Sequence, residues 1–214
     1  KPGHKSSERT VSALARTLQY AVPVQKMIRK GHPEHFNFLA ALLGAHLISD
    51  LGMELTIKGA ENITPGQKVI YVPTHGSMGE IPLECLVARL VGHSVGFVAK
   101  RELEKVPGIG GILLGLDQMI LIDRHDSSQA WQAMEGLAQI LQDSSKDFSI
   151  IIYPQGTRFA IRVDEKGRRL DGDLFVKGPG LKPGAFYASL RSGIPLVAMT
   201  WNGMGPVMPS GKPG

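Results

Sequence analysis

The sequence predicts an α/β domain, a layered mixed sheet flanked by helices and preceded by an N-terminal helical hairpin. Three observations carry that prediction. After Met53, short β-rich runs alternate with stretches whose apolar residues recur at helical spacing, the pattern of strands and helices packed in layers. Before Met53 there are two helical stretches and no strand. The 214 residues are 43% hydrophobic and 20% charged, a balance that suits one ordinary domain and argues against disorder. The division expected is an amphipathic helical segment over residues 1–52 and an α/β domain over residues 53–214.

The elements follow in chain order. Thr10–Val22 has Val11, Leu14, Ala15, Leu18 and Val22 on one helical face, and Pro23 permits a kink or a break after it. Phe36–Leu51 is a more apolar helix, carrying Phe38, Leu39, Leu42, Leu43, Leu47 and Ile48, with Gly52 where a helix stops. Met53–Lys58 alternates like a strand, and Val69–Pro73 is a β-rich run that leads into a turn. Ile81–Val91 is expected as a helix, Val95–Ala99 as a strand and Trp131–Gln142 as a helix with Ala130, Ala133, Met134, Leu137 and Leu141 in phase. Phe148–Tyr153 reads as a buried strand, Ala185–Ser192 as a helix and Pro195–Thr200 as a last strand. Arg162–Lys182 is rich in Gly, Lys, Arg and Asp, as in a long hairpin or loop. The tail Gly203–Gly214 reads as ending mid-fold or in disorder, and an opening Lys1 in place of Met reads as a trimmed end.

Charge is unevenly placed. Seven basic residues (Lys1, Lys5, Arg9, Arg16, Lys26, Arg29, Lys30) face only Glu8 and Glu34 before Phe36, whereas the rest of the chain balances at 17 of each sign. The whole excess of +5 is therefore N-terminal, beside apolar helices. Basic ends with greasy faces suit an anionic membrane interface, a peripheral or monotopic attachment at the cytoplasmic face. The alternative is two helices packed on the following domain. Few aromatics interleave those charges, which argues against nucleic acid as a partner. No run of eighteen apolar residues exists, so a conventional membrane-spanning helix is not expected. The single cysteine, Cys85, excludes a disulfide framework and a Cys-based metal site, and its place in a predicted helix suggests core packing.

Four clusters carry possible chemistry. In Thr74-His75-Gly76-Ser77-Met78-Gly79-Glu80, a histidine at a strand's end is followed five residues on by a carboxylate. A carboxylate that holds one ring nitrogen as donor leaves the other free to accept a proton, the arrangement of a general base. Ser77 offers a rival, a serine hydrolase, but the nucleophile elbow G-x-S-x-G has His75 in place of its first glycine, and only His93 and His125 follow to complete a triad. Lys100-Arg101-Glu102-Leu103, Pro107-Gly108-Ile109-Gly110 and Ile120-Leu121-Ile122-Asp123-Arg124 place basic groups at strand ends near glycines, suited to an anionic ligand. Tyr153-Pro154-Gln155-Gly156-Thr157-Arg158 offers close backbone approach, a hydroxyl and a guanidinium fork, without the Walker pattern. Gly193-Ile194-Pro195-Leu196-Val197-Ala198 enters a strand through proline.

In this order, His-x4-acid, K-x-E-L-x3-P-x2-G with I-x-I-D-R, P-x-G-T-R and I-P-L-V, the four blocks resemble the glycerolipid acyltransferases, especially the 1-acylglycerol-3-phosphate acyltransferase branch. The resemblance covers Lys58 to Met199, and an N-terminal two-helix membrane motif is also a feature of that family. It implies that His75 is the general base and that Glu80 stands at the position of the family's usual aspartate. It implies that Lys100, Arg124, Gly156, Thr157 and Arg158 bind the acceptor's phosphate, and that Ile194–Met199 serves folding and the acyl site. The reaction implied moves an acyl chain from acyl-CoA or acyl-carrier protein to the hydroxyl of a lysolipid, with no metal, no cofactor and no covalent enzyme intermediate. Glu80, Gln155 in place of the block's glutamate, and Thr74 in place of its asparagine depart from the family pattern. They leave open another lysolipid, an aminoacyl lipid or a glycolipid as acceptor, or a lipid-binding relative without turnover.

Overall fold

Among the described residues, five strands form one sheet in the order β3-β2-β4-β1-β5: β1 is Ile70–Pro73, β2 Val95–Lys100, β3 Met119–Ile122, β4 Ser149–Ile151 and β5 Leu196–Met199. The computed structural model describes residues 35–77, 79–105, 118–123, 126–156 and 181–202, with Gln19, Pro23, Lys26 and Lys30. The expected helix Thr10–Val22 lies outside the described residues except for Gln19. So do nearly all of Arg162–Lys182 and the whole tail from Gly203.

Among the described residues the α-helices are α1 (His35–Leu51), α2 (Glu80–Leu90), α3 (Ser127–Gln142) and α4 (Gly184–Ser192). The α/β layering is as the sequence predicts. Each of the four strand pairings is parallel, where a mixed sheet is expected. Parallel neighbours cannot be joined by a tight hairpin, and α2, α3 and α4 each lie between two successive strands as crossovers. Short β-rich runs in a sequence do not reveal this, since strand direction is set by what joins them.

Both faces of the sheet are covered, which is why its strands read as apolar runs rather than as alternating ones. Ile70, Ile150 and Ile152 turn to one face, against Met134, Leu137 and Leu141 of α3 and Ala185 and Ala188 of α4. Tyr71, Val95, Phe97 and Ile151 turn to the other, against Ala41 of α1 and Cys85 and Ala88 of α2. Cys85 is 1% exposed, as its expected packing role requires, and burial raises its thiol pKa.

Helix ends follow local chemistry. Asp126 caps α3 by accepting the Gln129 N–H at 3.0 Å. Lys68 Nζ donates to the carbonyls of Leu141 and Asp143 just past its other end, at 3.0 and 2.6 Å. Gly52, at φ +60°, closes α1, and the next N–H, of Met53, reaches back to the Ile48 carbonyl at 2.8 Å. Pro82 sits in the first turn of α2, where the missing N–H has no intrahelical partner to lose.

Helix α1 packs on α2 across the boundary at residue 52. A Cβ on Gly44 would come within 2.4 Å of the Pro82 carbonyl oxygen, so the two backbones nearly touch. Asn37, 3% exposed, accepts the Val95 N–H at 2.8 Å and donates to Gln118 Oε1 at 2.8 Å. This helix is therefore fastened to the starts of β2 and β3. Among the described residues no helix is long and apolar enough to cross a membrane. Met53–Lys58, expected as a strand, alternates in exposure only as far as Thr56 and has no ladder partner among the described residues. Instead it walls a cavity of about 530 Å³ with Leu83 and Val87 of α2, Val91 just after it, and residues 197–202.

Candidate active site

From β1 the chain passes to α2, on one face of the sheet, and the adjacent β4 is followed by α4, on the other face. The crevice at the carboxyl ends of such a pair is where ligands bind in open α/β sheets. The chain segments that emerge there are Thr74–Gly79 after β1 and Ile152–Gly156 after β4.

After β1, the Thr74 N–H still pairs with the Met199 carbonyl at 3.1 Å, and the chain then turns into α2. Glu80, the first residue of α2, folds back over that turn. Its Oε2 accepts the Gly76 N–H at 2.9 Å and lies 3.5 Å from His75 Nδ1. The start of a helix favours negative charge, so a carboxylate is well placed there. Glu80 is buried, its side chain 3% exposed, and His75 keeps a small opening to solvent at 12%. His75 Nδ1 has no hydrogen bond shorter than this ion-pair distance, and it is shielded from solvent. A further contact comes from the segment after β4, since the His75 ring stacks on Tyr153 with centroids 3.9 Å apart and planes inclined by 24°.

One turn after Glu80 lies a second acid that the sequence reading missed. Glu84 is completely buried; the Tyr153 hydroxyl donates to its Oε2, and Trp201 Nε1 donates to its Oε1 at 3.3 Å. Burial, reinforced by the nearby Glu80, pushes its carboxyl up to about 8, against the pull of these two donors. Burial, then the charge of Glu84, also holds the Tyr153 hydroxyl well above the usual phenol range. The one signal in the sequence was an acid in the middle of an apolar helix, four residues from Glu80.

The phosphate-binding candidates are spread along the same edge. Lys100 ends β2, in register with Ile122 of β3, and β2 stands two strands from β1, roughly 10 Å at ordinary strand spacing. Gly156 follows β4 and has φ +71°, a left-handed turn that favours glycine, closed by its own N–H to the Tyr153 carbonyl at 2.9 Å. Beside it Gln155 is 9% exposed with its Oε1 unpartnered among the described residues. Arg124, Thr157 and Arg158 lie outside the described residues. The structure thus brings His75 and Glu80 together and puts Lys100 and Gly156 on their edge of the sheet.

The serine-hydrolase alternative finds no support. Ser77 is 1% exposed and its Oγ accepts the Gly79 N–H at 3.1 Å. His93 precedes β2, at the opposite edge of a parallel sheet, where its Nδ1 meets the Tyr71 hydroxyl at 2.8 Å. His125 lies outside the described residues.

A parallel α/β domain with a histidine–carboxylate couple at a strand's carboxyl end is the class that fold and site define. Residues 54–201 match the acyltransferase family, and the chain belongs to that family. It is 28% identical over 160 residues to a 1-acyl-sn-glycerol-3-phosphate acyltransferase of Chlamydomonas reinhardtii, covering 74% of this chain and 42% of that protein. A chloroplastic protein of the same name from Brassica napus is 28% identical over 159 residues, 74% of this chain and 40% of its own. The chain thus spans about two fifths of the length of these curated relatives. The crystal structure of the 1-acyl-sn-glycerophosphate acyltransferase PlsC from Thermotoga maritima shares the fold, with a TM-score of 0.65 at 19% identity, over 97% of this chain and 79% of that one.

Proposed function

We propose that this chain is the catalytic unit of a membrane-associated O-acyltransferase, with His75 as general base and Glu80 as the residue that orients it. The observation that carries the reading is the 3.5 Å approach of Glu80 Oε2 to His75 Nδ1, in a member of the acyltransferase family. With Nδ1 protonated toward Glu80, Nε2 is the basic nitrogen. It takes the proton of the acceptor's hydroxyl as that oxygen attacks the thioester carbonyl. The tetrahedral intermediate collapses with loss of the thiolate, which recovers the proton from the imidazolium. Such a base contributes about 100- to 10,000-fold. The donor is acyl-CoA or acyl-carrier protein, and the acceptor is a lysophospholipid whose phosphate meets Lys100, Arg124, Gly156, Thr157 and Arg158. The names of the relatives favour 1-acylglycerol-3-phosphate.

The membrane reading rests on the basic N-terminal segment and on Phe38 and Leu90, 48% and 63% exposed. Arg89 lies over the Phe38 ring at 5.4 Å, so a cation borders this apolar surface.

The test is thiol release from palmitoyl-CoA by the protein on anionic vesicles, with and without lysophosphatidic acid, beside His75→Ala. Release that needs the acceptor and disappears in the variant is expected. Release that survives His75→Ala refutes the catalytic assignment. Vesicle binding without turnover, over a panel of lysolipid and glycolipid acceptors, identifies a lipid-binding relative instead.

A further inference from the structure

Glu84 has no part in the chemistry just proposed, yet it is the most enclosed acid in the described residues. It is 0% exposed, and its oxygens serve two elements other than its own helix: Tyr153 at the exit of β4 and Trp201 beyond β5. Tyr153 is also the residue whose ring lies flat on His75. A line of contacts therefore runs from α2, through the segment after β4, back to the turn after β1.

We propose that Glu84 is a positioning residue for His75, acting through the hydroxyl of Tyr153; the proposal rests on His75 being the base. Two degrees of freedom of the imidazole need separate restraints. A half-turn about the Cβ–Cγ bond leaves the ring plane unchanged and exchanges Nδ1 with Cδ2, so a stacked neighbour cannot select between the two states. Glu80 selects, because only one of them puts a nitrogen beside its Oε2. A single carboxylate oxygen, in turn, cannot set the tilt of the ring. The Tyr153 face sets it, at 3.9 Å and 24°.

A tyrosine in the segment after a strand is a useful wall only if its own swing is stopped. The bond from its hydroxyl to Glu84 does this from the far end of the ring, using a helix as anchor, and Trp201 holds the second oxygen of the same carboxyl. A neutral Glu84 also suits the role. Burial favours its acid form, so it holds the tyrosine hydroxyl without itself presenting a charge near the imidazole. A chain of this kind loses rate through misplacement rather than through lost binding.

The experiment combines imidazole ¹⁵N NMR with steady-state kinetics on vesicle-bound protein, the His75 signal being assigned by its loss in His75→Ala. In the unsubstituted protein one tautomer, protonated at Nδ1, is expected. In Glu84→Leu and in Tyr153→Leu the tilt is no longer held, and the Nδ1 approach to Glu80 loosens with it. A tautomer mixture appears, and kcat falls by about 10- to 100-fold with KM for donor and acceptor nearly unchanged. Glu84→Gln keeps an acceptor for the tyrosine hydroxyl and recovers most of the rate lost in Glu84→Leu. In a His75→Ala background Glu84→Leu causes no further loss. Unchanged imidazole spectra in both leucine variants, an equal loss in the His75→Ala background, or a rise of KM at constant kcat each overturns the proposal. Should Glu84→Leu fail to fold by circular dichroism, Glu84→Gln and Tyr153→Phe decide by the same readouts. If the unsubstituted protein transfers no acyl group, the general-base reading fails, while the tautomer spectra still decide whether Tyr153 and Glu84 set the ring.

Discussion

The two faces of the sheet are built on different principles. Against α3 and α4 the interior is a dry cluster of Ile70, Met134, Leu137, Leu141, Phe148 and Ile150, and the polar links of that layer are at its rim, where Arg191 meets Glu135 at 2.8 Å. Against α1 and α2 the interior holds Asn37, Glu80, Glu84 and the Tyr71–His93 pair, all buried and engaged with other groups. One face supplies stability through area removed from water. The other accepts the expense of buried polar groups, two of which, Glu80 and Glu84, reach His75 directly or through Tyr153. Stability and activity are thus separable by face, and substitutions can test the separation.

The largest effect is expected at the site. His75→Ala should lower acyl transfer by about 100- to 10,000-fold, roughly 3–5 kcal/mol of barrier, with the melting temperature nearly constant. Next, Leu137→Ala on the dry face should cost about 2–5 kcal/mol in denaturant unfolding, with kcat per folded molecule unchanged. A large fall in kcat at constant folded fraction would break the comparison. Gly44→Ala should cost about 1–3 kcal/mol, because the new methyl meets the Pro82 carbonyl oxygen and α1 must move off α2.

A smaller effect separates the faces by pH. Glu84 is raised in the fold from the ordinary 4.5 to about 8, so between these values the folded chain holds a proton that the unfolded chain releases. Its contribution is fully present below about 4.5 and is lost as pH rises toward 8. Glu84→Gln should flatten the fall of stability across that window, as read from unfolding curves at a series of pH values. Glu135 runs in the opposite sense. Its bond to Arg191 leads the causes that lower its carboxyl to about 2, so its contribution is present above 4.5 and lost as pH falls below it. The pair is open to solvent, so Arg191→Ala should give the smallest change of the series, one that shrinks further with added salt.

Much of this was legible in the chain. The helical phase of Ala130–Leu141 is that of α3, and the apolar runs at 69–73, 95–99 and 148–153 contain β1, most of β2 and β4, because burial on two faces leaves no room for polar residues. His75 and Glu80 were legible because they are five residues apart and one turn joins them. Met53–Lys58 misled for a definite reason: alternation marks an extended chain beside a partly buried surface, and a strand also needs a neighbour with free backbone groups. Local pattern contains no information about that neighbour.

Spacing, hydropathy and ordered blocks of residues therefore specified the layers, the crossover helices and the histidine with its first acid, since each is an interaction within about one turn or one element. Parallel direction, the placement of the helices after β1 and β4 on opposite faces, and the enclosure of Glu84 arose from packing. The partners of Glu84 are 69 and 117 residues away, and its distance from water is a property of α2, β4 and β5 together. An acid in an apolar helix is an anomaly in one dimension; three packed elements enclose it and join it to the tyrosine stacked on His75.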